Sequence, residues 1–307
     1  MEGRPQDYAR IGVVHSMLYK GAIGGEGDVA RSLAAILADS YLDAVEVTPV
    51  RDRAVRDDVT AMLRESRKTV AFAAQPVLLT QGLDLHHSDR WKRRDAVDAI
   101  KRVIEQAYEM GAGSCVVLSG RDPGDAGRDT ARALLVESLT DIAAELRTQG
   151  DVPLVLEIFD RQPFGKNCLI GPTPEAADIA RRMRERFANF GLLLDLSHIP
   201  LLGESSDQAV ANVRDYLVQA HIGNCILRDP EHPLYGDNHP PFRDPDGEVG
   251  EEQLAVFLKA LLDVGFLDRQ KRPILSFEVA PYGQWAPESL LRQSEEVLEA
   301  AWARIEP

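Results

Sequence analysis

A chain of 307 residues can bury a large core, and barrels of alternating strands and helices often run past about 250 residues as one domain, so length alone does not require two. Acidic residues (49) outnumber basic ones (35), and the net charge of −14 repels nucleic-acid backbones and anionic membrane surfaces, which argues against both as partners. Three scattered cysteines (Cys115, Cys168, Cys225) without metal-type spacing, no basic-then-apolar leader in MEGRPQDYAR and no apolar run near ~20 residues exclude an all-cysteine zinc site and a membrane span, and fit a soluble cytoplasmic protein with reduced thiols.

Short β-branched or Leu-rich runs recur along the chain, at 11–15, 44–47, 70–74, 114–118, 154–157, 191–195, 217–221 and 274–278. Between and after them lie helically spaced segments at 28–40, 53–67, 90–110, 129–149, 174–188, 207–214, 251–264 and 287–305. Eight strand–helix units without a linker or repeat predict an α/β protein of one domain over 1–307, a closed (β/α)8 barrel. Two connections are longer than packing requires, 158–173 and 222–250, and long loops in compact domains are commonly functional. In such a barrel both lie over the C-terminal mouth, where active sites are built.

Four consecutive runs end in metal-type ligands: PLVLE at Glu157, GLLLD at Asp195, LVQAH at His221 and ILSFE at Glu278. Neighbouring strands lie about 4.7–4.9 Å apart, so these four side chains can converge on one divalent ion. Three carboxylates and an imidazole suit Mn²⁺, Mg²⁺, Co²⁺ or Zn²⁺, with Mn²⁺ favoured by the oxygen majority. Any one strand-terminal acid is as often a helix cap or a solvated residue; four in series are harder to explain that way. His15, at the end of the first strand, reads either as a site residue or as a hydrogen-bonded barrel residue, and His86 and His87 either contact a bound ligand or cap the next helix.

The loops add candidate substrate-binding residues. His198 follows Asp195 in DLSH, and Arg228, Asp237 and His239 lie in the seventh loop. The Asp237-x-His239 pair reads either as ligands of a second ion or as the internal hydrogen bonding of a Pro-rich lid. Lys166, with Phe159, Arg161 and Phe164, gives the fifth loop the composition of a substrate cover. Phe159, Phe164 and Trp285 suit an aromatic group of a ligand or simple loop packing.

The ordered series LEIFD, LLDLSH, AHIGN, GDNHP and SFEV resembles the xylose-isomerase-like barrel superfamily, which includes sugar isomerases, ketose epimerases, inosose dehydratase-type enzymes and the endonuclease IV group. The resemblance implies that Glu157, Asp195, His221 and Glu278 bind one divalent ion, that His198 touches substrate, and that Glu157 and Glu278 exchange a proton through a metal-stabilised enediolate. The endonuclease branch has histidines where Gln75 and Ser119 stand here, which argues against a trinuclear zinc site. The stretches FDRQPFGKNCLIGPT and HIGNCILRDPEHPLYGDNHPPF also resemble the large subunit of C-glycoside deglycosidases.

The expectation is therefore a metal-dependent sugar isomerase or epimerase acting on a small carbohydrate, as a homo-oligomer. A lyase cleaving 3-keto C-glycosides with a small partner subunit is the alternative, and a carbohydrate-binding barrel without turnover is the reading of another class.

Overall fold

The computed structural model describes residues 3–161 and 164–305. Eight parallel strands form one sheet: β1 (Arg10–Val13), β2 (Ala44–Val47), β3 (Thr69–Ala73), β4 (Cys115–Val117), β5 (Leu154–Ile158), β6 (Gly191–Asp195), β7 (Leu217–Ile222) and β8 (Ile274–Phe277). Their order is β1-β8-β7-β6-β5-β4-β3-β2. The remaining gap is drawn together by a parallel bridge between Val14 and Glu46 and by the Asp43 N–H donating to the Ile11 carbonyl at 2.7 Å. The result is a single (β/α)8 barrel.

The helices in chain order are α1 (His15–Leu18), α2 (Val29–Ala38), α3 (Arg53–Ser66), α4 (Gln75–Gln81), α5 (Arg90–Glu109), α6 (Arg128–Gln149), α7 (Thr173–Arg184), α8 (His198–Leu202), α9 (Ser206–Val213), α10 (Glu251–Asp263) and α11 (Pro287–Ala303). Three of them, α1, α4 and α8, are short helices at the barrel mouth that hydrophobic periodicity did not indicate, because each is too short to show a period. His15 accordingly opens α1 rather than ending β1. The long helices begin where the chain supplies caps: Asp52 accepts from the Val55 N–H at 3.0 Å, and Asp89 accepts from the Trp91 N–H at 2.8 Å.

Strand alternation decides what enters the barrel. Outward residues such as Leu154, Leu156 and Ile158 of β5 join the large apolar core between strands and helices. Inward residues form small separate clusters, Val116–Val155–Leu193 and Ala44–Ala71–Ile274. Two positions further along, the same inward faces present Glu46, Glu157 and Asp195, with His221 two residues past Gln219 and Glu278 four past Ile274. Apolar or small residues thus fill the barrel to one level and charged ones take the next. Gly12 keeps that filling possible, since a Cβ there would lie 2.7 Å from Ser276 Oγ and 3.0 Å from Ala44 Cβ. No helix among the described residues is long and apolar enough to cross a membrane.

Candidate metal centre and active site

Glu157, Asp195, His221 and Glu278 meet at the C-terminal mouth, each offering one ligand atom, with all four atoms within 4.8 Å of one another. Register explains the meeting: Asp195 and His221 are direct partners across β6 and β7. Glu157 stands opposite Leu193 on β6, two residues below Asp195. Glu278 lies one residue past β8, and its N–H donates to the Ile222 carbonyl at 2.9 Å, so the ladder continues far enough to fix it.

All four are buried, with Glu278, at 9 % exposure, the most accessible. His221 Nδ1 lies 2.6 Å from Glu278 Oε2 and 3.7 Å from Glu157 Oε1. Glu157 Oε2 accepts from Gln75 Nε2 at 2.6 Å, while Oε1 is buried without a hydrogen-bond partner. Burial, reinforced by Glu278, pushes the Glu157 carboxyl up to about 8. Burial opposes ionisation of Glu278 as well, but His239 and His221 outweigh it and hold that carboxyl well below the usual range. For His221, burial works against the charged form and the carboxylates of Glu46 and Glu278 more than offset it, so its pKa is well above the ordinary imidazole value.

Glu46 is a site residue that the reading of strand ends missed. It is fully buried on β2, and its Oε1 lies 2.9 Å from His221 Nε2. The signal was present in the sequence, since AVEV is another apolar strand interrupted near its C-terminal end by an acid. Gln75, at the start of α4, is the second addition, through its bond to Glu157.

A second buried group adjoins the first. Asp195, His198 and His239 offer ligand atoms within 4.8 Å of one another. Asp237 Oδ1 lies 2.8 Å from His239 Nε2 and 3.2 Å from His198 Nε2, and Ser197 Oγ donates to Asp195 Oδ2 at 2.7 Å. Burial disfavours a charged His198, but Asp237 and Asp195 raise its pKa well above the usual value. His239 is held at a positive φ of 51° in the midst of this network.

The two long loops meet over the site. Gly236 crosses Phe164 so closely that a Cβ would come within 2.0 Å of the Phe164 carbonyl oxygen, and it has φ +81°. Phe164 and Tyr235 pack edge to face at 5.8 Å, and Lys166 pairs with Asp237 Oδ2 at 2.7 Å. Residues 162 and 163 of the fifth loop lie outside the described residues. Beneath the loops is a cavity of about 300 Å³. Its polar wall includes Glu46, Gln75, Glu157, Lys166, His221, Asp237 and Glu278, and its apolar wall Met17, Ile23, Pro76, Leu79 and Phe159.

Of the residues expected to hold substrate, Lys166 and Asp237 line this cavity. His198 sits behind the Phe159 ring, at 4.7 Å between centroids, with Nδ1 donating to the Ile158 carbonyl, and His239 belongs to the buried network. Arg228 is not brought to the site: it is at the surface, its side chain 69 % exposed and 3.2 Å from Glu248, because the chain turns outward after Ile226 before returning at Gly236. Arg161 likewise turns away to Glu175 at 2.7 Å. Trp285 packs against the main core, His15 bonds to Ser32 at 2.8 Å, and His87 accepts from the Asp89 N–H in the turn that caps α5.

The donor set fits a divalent cation. Glu46, Glu157, Asp195, Asp237 and Glu278 put five carboxylates within one buried region, and among the described residues two cationic side chains, Lys20 and Lys166, line the cavity. Buried carboxylates are costly unless each is paired or bound to metal, and Glu157 Oε1, buried without a hydrogen-bond partner, leaves room for a positive partner.

A family model described as the xylose isomerase-like TIM barrel matches residues 34–301. No curated protein matches the chain. Among solved structures, D-psicose 3-epimerase of Clostridium cellulolyticum H10, determined with D-tagatose, is 17% identical with a TM-score of 0.62, over 96% of this chain and 97% of the other. The IolI protein with a bound zinc atom is 16% identical with a TM-score of 0.67, over 97% and 100%. The 3-keto-D-glucoside 4-epimerase of E. coli is 16% identical with a TM-score of 0.61, over 94% and 98%. At these identities the likeness is one of fold.

Proposed function

Since this chain belongs to the xylose isomerase-like TIM barrel family, we propose that it is a divalent-metal-dependent sugar isomerase or epimerase. The observation that carries the reading is the convergence of Glu157, Asp195, His221 and Glu278 at a loop-covered cavity, with Glu157 and Glu278 both in its wall. That two neighbours of the same fold are described as sugar 3- and 4-epimerases supports it.

A divalent ion bound by the four residues supplies Lewis-acid stabilisation of negative charge on substrate oxygens. The remaining work belongs to the chain. Glu278 takes a proton from a carbon next to a carbonyl, the C–H electron pair becoming the new double bond, and Glu157 returns a proton to the same or the adjacent carbon. The product is an isomer, and no co-reactant is consumed. Gln75 holds Glu157 in place through its 2.6 Å bond, and Lys166 and Asp237 face the hydroxyl-bearing part of the substrate. The fifth and seventh loops exclude water from the reacting atoms.

A second reading, a lyase that expels an apolar aglycone from a 3-keto glycoside with the same base, is favoured by one feature: the wall formed by Met17, Ile23, Pro76, Leu79 and Phe159. Incubating metal-loaded protein with ketoses and with 3-keto glycosides in D₂O tests both readings. Deuterium at a carbon next to the carbonyl, with an isomeric product, supports the isomerase, and a released aglycone supports the lyase. Neither result with either substrate class, from protein that binds metal, leaves a carbohydrate-binding barrel.

A further inference from the structure

Glu46 stands apart from the four converging ligands. It comes from β2, whose sheet neighbours do not include β7, and it reaches across the barrel interior to His221. Its Oε1 is 2.9 Å from His221 Nε2, its side chain has no exposure, and its Oε2 is buried without a hydrogen-bond partner. On the other side of the same ring, Nδ1 faces Glu278 Oε2 at 2.6 Å and Glu157 Oε1 at 3.7 Å. The two ring nitrogens therefore have different surroundings. Nδ1 looks into the ligand group and Nε2 looks at a single carboxylate.

An imidazole that binds a metal through one nitrogen must keep its remaining proton on the other. A carboxylate placed at the second nitrogen holds that proton there, fixes the ring plane and raises the basicity of the ligating nitrogen. No other group contacts Nε2 within hydrogen-bonding distance among the described residues. Without Glu46 the Nε2 side of the ring would have no hydrogen-bond partner.

We propose that Glu46 is a positioning residue that fixes His221 with Nδ1 presented to a divalent cation and Nε2–H committed to the Glu46 carboxylate. The proposal rests on the metal-dependent reading of the site. It assigns Glu46 no contact with reacting atoms. Its consequence is that metal affinity depends on a hydrogen-bond acceptor at position 46, although residue 46 is not a ligand.

The test is a Mn²⁺ titration of the purified full chain, with free Mn²⁺ read by electron paramagnetic resonance and native fold checked by circular dichroism. Glu46→Ala removes the acceptor; Glu46→Leu does so while filling the volume, and serves if the alanine variant does not fold. Glu46→Gln keeps an amide oxygen able to accept from Nε2–H. The expected result is a dissociation constant raised about 10–100-fold in the acceptor-less variant, the usual range for losing an outer-shell partner, and raised much less in Glu46→Gln. Equal affinity in wild type and a folded acceptor-less variant overturns the proposal. Equal weakening in Glu46→Gln and the acceptor-less variant also overturns it, since the carboxylate charge rather than hydrogen-bond acceptance would then be at work. Wild-type protein that binds no Mn²⁺ overturns the metal-dependent reading itself, and with it this inference.

Discussion

Lys166 of the fifth loop and Asp237 of the seventh are joined by an ion pair of 2.7 Å, and the Lys166 ammonium also donates to the Asp237 carbonyl at 3.0 Å. This contact ties the two loops together and places a positive charge beside a fully buried carboxylate. Burial raises the cost of ionising Asp237, but Lys166 and His198 more than compensate and hold it well below the usual carboxylate range. Replacing Lys166 by Met leaves Asp237 with imidazoles alone. Because breaking a buried pair costs ~3–5 kcal/mol and Lys166 keeps 23 % side-chain exposure, a loss near the lower end is expected in urea unfolding. An unchanged midpoint would remove the pair from any account of stability.

Metal binding should release protons. In the metal-free protein Glu157 is raised to about 8 by burial and by Glu278, so it carries a proton at pH 7. A carboxyl must be ionised and an imidazolium must lose a proton to act as ligands, so binding expels the proton of Glu157 and the extra one on His221, and apparent affinity rises with pH. Calorimetric titration with Mn²⁺ at pH 7 in two buffers of different ionisation enthalpy measures the release directly. Identical heats in both buffers would mean that no proton leaves.

Glu278 and Glu157 share the cavity wall, and both metal binding and proton exchange draw on their carboxylate oxygens. Glu278→Gln retains an oxygen ligand and removes the base. The expected outcome is retained, weakened metal binding with deuterium exchange into substrate reduced ~10²–10⁴-fold, the range for a positioned general base. Exchange at the wild-type rate would transfer the role to Glu157 or to another group.

Far from the mouth, Glu295 of α11 is half-buried beside Asp39, and burial together with that neighbour raises its carboxyl from 4.5 to about 7. A carboxyl whose folded pKa is raised is tolerated while protonated, and its penalty grows as pH rises from the unfolded value to the folded one. Stability contributed by this group therefore falls between pH 4.5 and about 7. Glu295→Gln should melt higher than wild type at pH 8 and the same at pH 4.5. A variant that is equally stabilised at both pH values would point to packing rather than charge.

The eight strands were legible because each is a short apolar run bounded by turn residues, and parallel strands buried on both faces read that way. The convergence of Glu157, Asp195, His221 and Glu278 was legible for a related reason: a charged residue terminating such a run has few places to go except a barrel mouth. The same rule applied to AVEV would have yielded Glu46. Arg228 could not be placed by its neighbours in sequence, because the excursion of the seventh loop is pinned by a backbone bridge between Ile226 and Gly236. The short helices α1, α4 and α8 escaped notice because four to seven residues carry no measurable period.

Short apolar runs and helical spacing were thus enough to specify the alternation of strands and helices, the closed barrel and the residues at the strand ends. Which of those residues meet is a matter of tertiary structure alone. Register across β6 and β7 sets Asp195 beside His221, closure of the barrel carries Glu46 to the far side of the same imidazole, and the crossing of two loops at Gly236 buries Asp237 against Lys166. Such relations join residues as far apart as His221 and Glu46, 175 positions along the chain, and no local preference of the backbone or of a single side chain encodes a contact over that separation.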